Sequence, residues 1–165
     1  MSHDASLSLV RVATADDKGA MLRLINAAFG IEGFLEGPRT DAAGLAERMD
    51  KGIFLLGHGG AGSLVASVYV EIRGLRGYFG MLAVDPAQQG KGYGRAMVKA
   101  AEDHCRSSGC TAMDLTVLSL RPELPPFYRK LGYAETGIED FRPSRPLREG
   151  IECHCIVMSK DLLRE

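Results

Sequence analysis

Apolar positions recur along this chain in two rhythms, a period near two over short runs and a period near 3.6 over longer ones. Residues 7–13 alternate and predict a first strand. Thr14, Asp16 and Asp17 then supply helix-start chemistry ahead of an apolar series at Met21, Ile25, Ala28 and Phe29, which predicts a first helix. A loop holding Gly30, Gly33, Gly37 and Pro38 separates it from a second helical series at Ala42, Leu45, Ala46 and Met49. Residues 53–56 and 63–72 predict two strands joined by the turn His58-Gly59-Gly60-Ala61-Gly62. Residues 74–77 turn the chain into a third strand over 78–84, so the centre reads as an antiparallel meander.

After Asp85-Pro86 the period lengthens. Tyr93, Ala96, Met97, Ala100, Ala101, His104 and Cys105 share one face of a long helix that Gly109 ends. Residues 111–118 predict a strand, and residues 126–131 a short helix opened by proline and stopped by Gly132. Strand-like sequence from Tyr133, a charged loop over 142–150 and a last strand over 151–158 complete the order. The expected fold class is mixed α/β, with one domain over residues 1–165, since 165 residues at 45% hydrophobic content suffice for one core.

Charge narrows the partners. Twenty Lys and Arg against 21 Asp and Glu leave a net charge of −1, so no global field gathers nucleic acid or an anionic membrane. The longest apolar run, residues 64–70, falls far short of the roughly 18 residues that a membrane helix needs. Residues 1–9 carry Asp4 and no Lys or Arg before an apolar stretch, unlike a secretion signal, so a cytoplasmic protein is expected. Cys105, Cys110, Cys153 and Cys155 form no C-x-x-C pair and are expected as reduced thiols.

The distinctive chemistry lies in Gln88-Gln89-Gly90-Lys91-Gly92-Tyr93-Gly94-Arg95. Glycine at every second position strips side chains from a loop entering the long helix, so backbone N–H groups are free to close around an anion. The helix N-terminus adds partial positive charge there, and Lys91 and Arg95 stand ready for phosphate oxygens, so a pyrophosphate is the natural ligand. The dinucleotide pattern G-x-G-x-x-G fails, with Arg95 or Met97 at its third glycine. The nucleoside-triphosphate loop fails too, with Asp85 at its first glycine and Gly92 at its Ser or Thr.

Leu82-Ala83-Val84-Asp85-Pro86 followed by Gln89-Gly90-Lys91-Gly92-Tyr93-Gly94-Arg95-Ala96-Met97 resembles the acetyl-CoA signature of the GNAT N-acetyltransferase superfamily, whose core is Q/R-x-x-G-x-G/A. Phe127-Tyr128-Arg129-Lys130-Leu131-Gly132-Tyr133 is similar to that family's later Y-x-K-L-G-F segment. The resemblance covers residues 7–160 and implies a splayed, mostly antiparallel sheet flanked by helices. It further implies transfer of an acetyl group from acetyl-CoA to an amine by direct attack, with no metal. It places the cofactor on Leu82, Ala83, Val84, Gln89, Gly90, Lys91, Gly92, Tyr93, Gly94 and Arg95, and makes Tyr128 the general acid toward the departing thiolate. Homodimers are common in the family.

Two positions depart from the family pattern. Relatives often carry a carboxylate base on the central strand, yet residues 78–84 contain none, which leaves Glu71, Glu152 and His154 as candidates, each more simply read as a hydrogen-bonded surface residue. Arg121 stands where relatives often have asparagine, and reads as a solvated loop arginine, or as one that reaches a phosphate or an acidic substrate. Cys153, His154 and Cys155 do not suit a metal, because on a strand the histidine points away from the two thiols. The acceptor is expected to be chosen by the loops over 30–39, with Glu32, Phe34, Leu35 and Glu36, and 137–150, with Arg142, Arg145 and Arg148 set against Glu139, Asp140 and Glu149. The missing carboxylate also keeps open a non-catalytic acyl-CoA-binding sensor.

Overall fold

The structure is a computed structural model that describes residues 7–141 and 146–163, so Arg142 and Arg145 lie outside the described residues, as do residues 1–6. Its strands are β1 (Leu9–Val12), β2 (Ile53–His58), β3 (Leu64–Arg73), β4 (Arg76–Val84), β5 (Ala112–Leu118), β6 (Ala134–Asp140) and β7 (His154–Asp161). The helices are α1 (Lys18–Ala28), α2 (Ala42–Lys51), α3 (Tyr93–Ser107) and α4 (Leu124–Lys130). Among the described residues the strands form one sheet in the order β1-β2-β3-β4-β5-β7-β6, every pair antiparallel except β4 with β5.

Each face of the sheet carries its own core. Met97, Val98, Ala101 and Cys105 of α3 pack with Val68, Phe79, Met113 and Leu115 on one face. Met21 and Ile25 of α1 and Leu45 of α2 pack with Phe54, Tyr69 and Met81 on the other. The mixed α/β fold follows from the two periodicities, but the face of α3 is broader than the expected one. Val98 is also buried there among the apolar core residues, and so is Glu102, whose carboxylate accepts from the Tyr133 hydroxyl at 2.7 Å and from Lys160 Nζ at 3.1 Å. A buried charge with two donors is tolerable where an unpaired one is not.

Element boundaries moved at the C-terminal end. The last strand runs over His154–Asp161 rather than 151–158. Helix α4 starts at Leu124, ahead of Pro125 and Pro126, which occupy its first turn, where a missing N–H removes no helical bond.

The feature that builds a site is the junction of β4 and β5. They pair only at Arg76↔Ala112, Gly77↔Met113 and Tyr78↔Asp114, and beyond Tyr78 they part. The closed end is fastened by Arg76, whose Nε and Nη2 each lie 2.7 Å from an Asp114 carboxylate oxygen. Arg76 holds the Asp114 carboxyl below the usual carboxylate range, and the Ser159 hydroxyl, donating at 2.6 Å, adds to the effect against the cost of burial.

On its other edge β4 carries a bulge. Ser67 faces Ala83 and Tyr69 faces Gly80, so Met81 and Leu82 together oppose Val68. Met81 takes φ of +50°, the one positive φ at a non-glycine among the described residues. The extra residue inverts the alternation of the strand. Phe79 packs on the α3 face before the bulge and Leu82 and Val84 after it, while Tyr78, Met81 and Ala83 pack toward α1 and α2.

Candidate active site

A cavity of about 1080 Å³ passes through the gap between β4 and β5 and opens on both faces of the sheet. On the α3 face its walls are Leu82, Val84, Gly94, Phe127 and Tyr128. On the α1 and α2 face they include Phe29, Leu35, Arg48, Arg73 and Tyr78.

At its α3 end the loop before the helix is bare. Gly90 and Gly92 take φ of +81° and +86°, left-handed values that only glycine adopts without strain. None of the N–H groups of residues 89 to 95 has an acceptor among the described residues, and the first bond of the helix runs from Ala96 N–H to Gly92 O at 3.1 Å. A run of unpaired donors at the start of a 15-residue helix forms an anion-binding concavity. Gly94 is the second residue of α3, where an added Cβ would stand 3.7 Å from Val84 Cγ2 and 3.8 Å from Phe127 Cζ. The space between β4 and α4 is therefore narrow, and glycine keeps it open.

Most expected cofactor residues come together here. Gln89, Gly90, Gly92, Tyr93, Gly94 and Arg95 line the cavity, as do Leu82 and Val84. Lys91 and Ala83 do not. Lys91 is exposed and donates from Nζ to Gln88 Oε1 at 2.7 Å. Ala83 is 1% exposed and faces the α1 and α2 core. Its backbone also points the other way. The Asp85 N–H donates to Val65 O at 2.8 Å, and antiparallel alternation then directs the N–H and C=O of Ala83 toward β3. The main-chain groups of Leu82 and Val84 are left facing the gap.

Tyr128 lines the cavity from the α3 face. Its ring packs on Phe79 and Phe127, with centroids 5.9 Å and 5.0 Å away, and its hydroxyl has no hydrogen-bond partner among the described residues. Burial pushes its pKa well above the ordinary phenol value, and Tyr78 adds to that while Arg121 opposes it. The group is a proton donor over the whole neutral range.

Arg121 is not the solvated loop arginine expected from its position. Its side chain is 16% exposed, and it donates from Nη1 to Glu32 at 2.9 Å and from Nε to Glu123 at 2.5 Å. The pair with Glu32 bridges the loop after α1 to the loop after β5, across the cavity. The two variable loops meet as well: Leu35 bridges Leu147, and the Arg148 N–H donates to Phe34 O at 2.9 Å. Leu35 is thereby fixed as a wall of the cavity.

Of the candidate bases, none lines this cavity. Glu152 and His154 are exposed. Glu71 is occupied by Arg73 and by the Tyr69 hydroxyl at 2.9 Å, and Arg73 holds its carboxyl below the usual range. The carboxylates that do line it are Glu32, Glu139 and Asp140. Arg48, Arg73 and Tyr78 went unrecognised as cavity residues in the sequence, for nothing in a surface helix or at a strand end marks them.

Comparison with known proteins agrees with this geometry. Glucosamine 6-phosphate N-acetyltransferase 1 of Oryza sativa subsp. japonica is 30% identical over 76 residues, 46% of this chain and 44% of that protein, so the match spans less than half of the relative. The fold is shared with the ribosomal-protein-S18-alanine N-acetyltransferase of Escherichia coli, with a TM-score of 0.77 and 17% identity over 93% of both chains. It is shared too with a phosphinothricin acetyltransferase of Sinorhizobium meliloti solved in complex with acetyl-CoA, with a TM-score of 0.74 and 16% identity over 94% of this chain and 89% of that one. The family model described as Acetyltransferase (GNAT) family matches residues 19–133, the stretch that carries the helix N-terminal loop, the parted strands and Tyr128. With the parted β4 and β5, the bare loop and the family match falling on the same residues, the chain belongs to the GNAT acetyltransferase family.

Proposed function

We propose that the protein transfers the acetyl group of acetyl-CoA to an amine by direct attack on the thioester. The observation that carries this is the line of unpaired N–H groups over residues 89 to 95, opening into a cavity that leads between β4 and β5 to Tyr128. The N–H groups of Gly90 to Gly94 hold the diphosphate, with Arg95 beside them and Gln89, Lys91 and Tyr93 shaping the loop. Main-chain groups of Leu82 and Val84 line the path of the pantetheine arm, and Ala83 keeps that edge in place through its bonds to β3. The S. meliloti relative, solved with acetyl-CoA, supports the choice of cofactor.

An amine nitrogen attacks the thioester carbon, the C–S bond breaks, and Tyr128 Oη gives its proton to the departing sulfur. Solvent reached through the cavity returns that proton to the phenolate. The surplus proton of the amine leaves toward Glu139 and Asp140 at the β6 side of the cavity, since Glu32 is committed to Arg121. Arg121 is a positioning residue that holds the loops on either side of Tyr128.

Thiol release from acetyl-CoA, followed against a panel of amines, tests the reading. Turnover that drops in Tyr128→Phe while acetyl-CoA affinity stays constant supports it, and binding with no release for any amine points to a sensor instead. The same reading places the protein in the cytoplasm with its four thiols reduced, with no nucleic acid partner, and as a single domain able to pair as a homodimer through the fully exposed β6. No helix among the described residues is long and apolar enough to cross a membrane.

A further inference from the structure

The α1 and α2 side of the cavity is walled by three arginines, each laid on an aromatic ring. Arg48 of α2 lies 5.1 Å from the Tyr69 centroid, Arg73 at the end of β3 lies 4.2 Å from that of Tyr78, and Arg39 before α2 lies 5.3 Å from that of Phe29. All three line the cavity. A ring beneath a guanidinium fixes its plane and leaves its N–H edge for an in-plane acceptor.

The three differ in what occupies that edge. Arg73 donates from Nε and Nη2 to Glu71 at 3.2 Å and 3.3 Å. Arg48 is half-buried, yet it makes no ion pair and no hydrogen bond among the described residues, and Glu71 nearby already accepts from Arg73 and Tyr69. A partly desolvated guanidinium without an acceptor is costly to keep unless something else supplies one. Where β6 borders the cavity, beyond β5 and β7 in the sheet, the lining charges are the carboxylates of Glu139 and Asp140. The cavity thus carries three guanidinium groups on its α1 and α2 side and two carboxylates on its β6 side, and Arg73 and Glu139 also share a smaller neighbouring cavity.

We propose that the acceptor is zwitterionic, an amine whose other end bears a carboxylate or phosphate, and that Arg48 receives this anion in bidentate fashion with Arg39 and Arg73 beside it. The proposal rests on the acetyltransferase reading and specifies its substrate class. The anion is not the cofactor's diphosphate, because the bare loop of residues 89–95 lies toward α3 and Arg48 lies on the opposite face of the sheet.

The test pairs each anionic acceptor with a neutral counterpart in the thiol-release assay: free amino acids against their carboxamides, and aminoalkyl phosphates against amino alcohols. The better anionic series tells carboxylate from phosphate. At least about tenfold higher kcat/KM is expected for the anionic members, as charge-assisted hydrogen bonds provide. Arg48→Met, which keeps an apolar stem over Tyr69, is expected to lower kcat/KM for those members about 10- to 100-fold through KM, to leave neutral members unchanged, and to be partly reversed in Arg48→Lys. Acetyl-CoA affinity, measured by calorimetry, stays as in the wild type and certifies the variant's fold. Equal or better turnover of the neutral members, an equal loss for both series in Arg48→Met, or no turnover by any member overturns the proposal. Thiol release with any other amine of the panel leaves the acetyltransferase reading standing in those cases, whereas a wild-type protein that binds no acetyl-CoA removes both.

Discussion

Replacing Gly94 with alanine separates stability from cofactor binding. Gly94 is the second residue of α3, and the added methyl would stand 3.7 Å from Val84 Cγ2, 3.8 Å from Phe127 Cζ and 4.0 Å from Leu82 Cδ2, all ordinary contacts. The empty protein therefore accepts the methyl without moving. Alanine exceeds glycine by about 1 kcal/mol in a helix interior, and roughly half of that is expected this close to the N-terminus. At about 2–4 °C per kcal/mol for a chain of this size, Tm rises by about 1–2 °C. The same methyl occupies the strip between β4 and α4 through which the cofactor must pass. Crowding a fitted space by one carbon costs about 1–3 kcal/mol, so Kd for acetyl-CoA is expected to rise about 5- to 150-fold. Thermal denaturation without ligand and calorimetry with acetyl-CoA read the two effects. A Tm several degrees lower would refute the packing geometry. An unchanged Kd at raised Tm would refute the path assigned to the cofactor.

Other consequences follow from named groups. Tyr128→Phe is expected to lower kcat about 10²- to 10⁴-fold with Kd for acetyl-CoA unchanged, and the wild-type kcat/KM is expected to rise with pH as the amine loses its proton, with no falling limb below about pH 10 because Tyr128 titrates above the ordinary phenol value. Glu102→Ala leaves the Tyr133 hydroxyl and Lys160 without their shared carboxylate, and a loss of about 3 kcal/mol, near 10 °C in Tm, is expected. Asp114 is held below its unfolded carboxylate pKa of about 3.9 by Arg76, so the stability it contributes is complete above that value and is lost as pH falls through the lower folded one. Denaturant titrations below about pH 5 should accordingly show a flatter pH slope in Asp114→Asn, with about 1 kcal/mol less stability near neutral pH because Arg76 is half exposed.

Much of this fold is legible from pattern. The continuous apolar runs over 53–56 and 64–70, cut by glycine-rich turns, yield the meander, because β2 and β3 are buried on both faces, and the period of 3.6 from Tyr93 yields α3, which buries one face. The bulge at Met81 is not legible. Residues 78–84 show unbroken strand-like sequence with no glycine at the left-handed position, and only pairing with β3 reveals that two residues face Val68. Simple alternation would have put Met81 on the face of Phe79. The Arg121–Glu32 pair spans 89 residues of sequence, so a loop arginine met alone reads as solvated. The same holds for the acceptor side. Arg48 and Tyr69 belong to different elements, and their stacking arises from how α2 lies on the sheet, a tertiary outcome that leaves no local signal. The candidate base failed for a related reason: Glu71 has the right residue type, but Arg73 two residues on and Tyr69 two residues back already claim its oxygens.

The most direct test of the site is to compare acetyl-CoA with S-acetylpantetheine by calorimetry, since the two share the thioester and arm and differ in the nucleotide and its diphosphate. If the N–H groups of residues 89–95 hold that diphosphate, acetyl-CoA binds and S-acetylpantetheine is weaker by about 100-fold or more, as several charge-assisted hydrogen bonds imply. Equal affinity for both, or no heat with either, would contradict it.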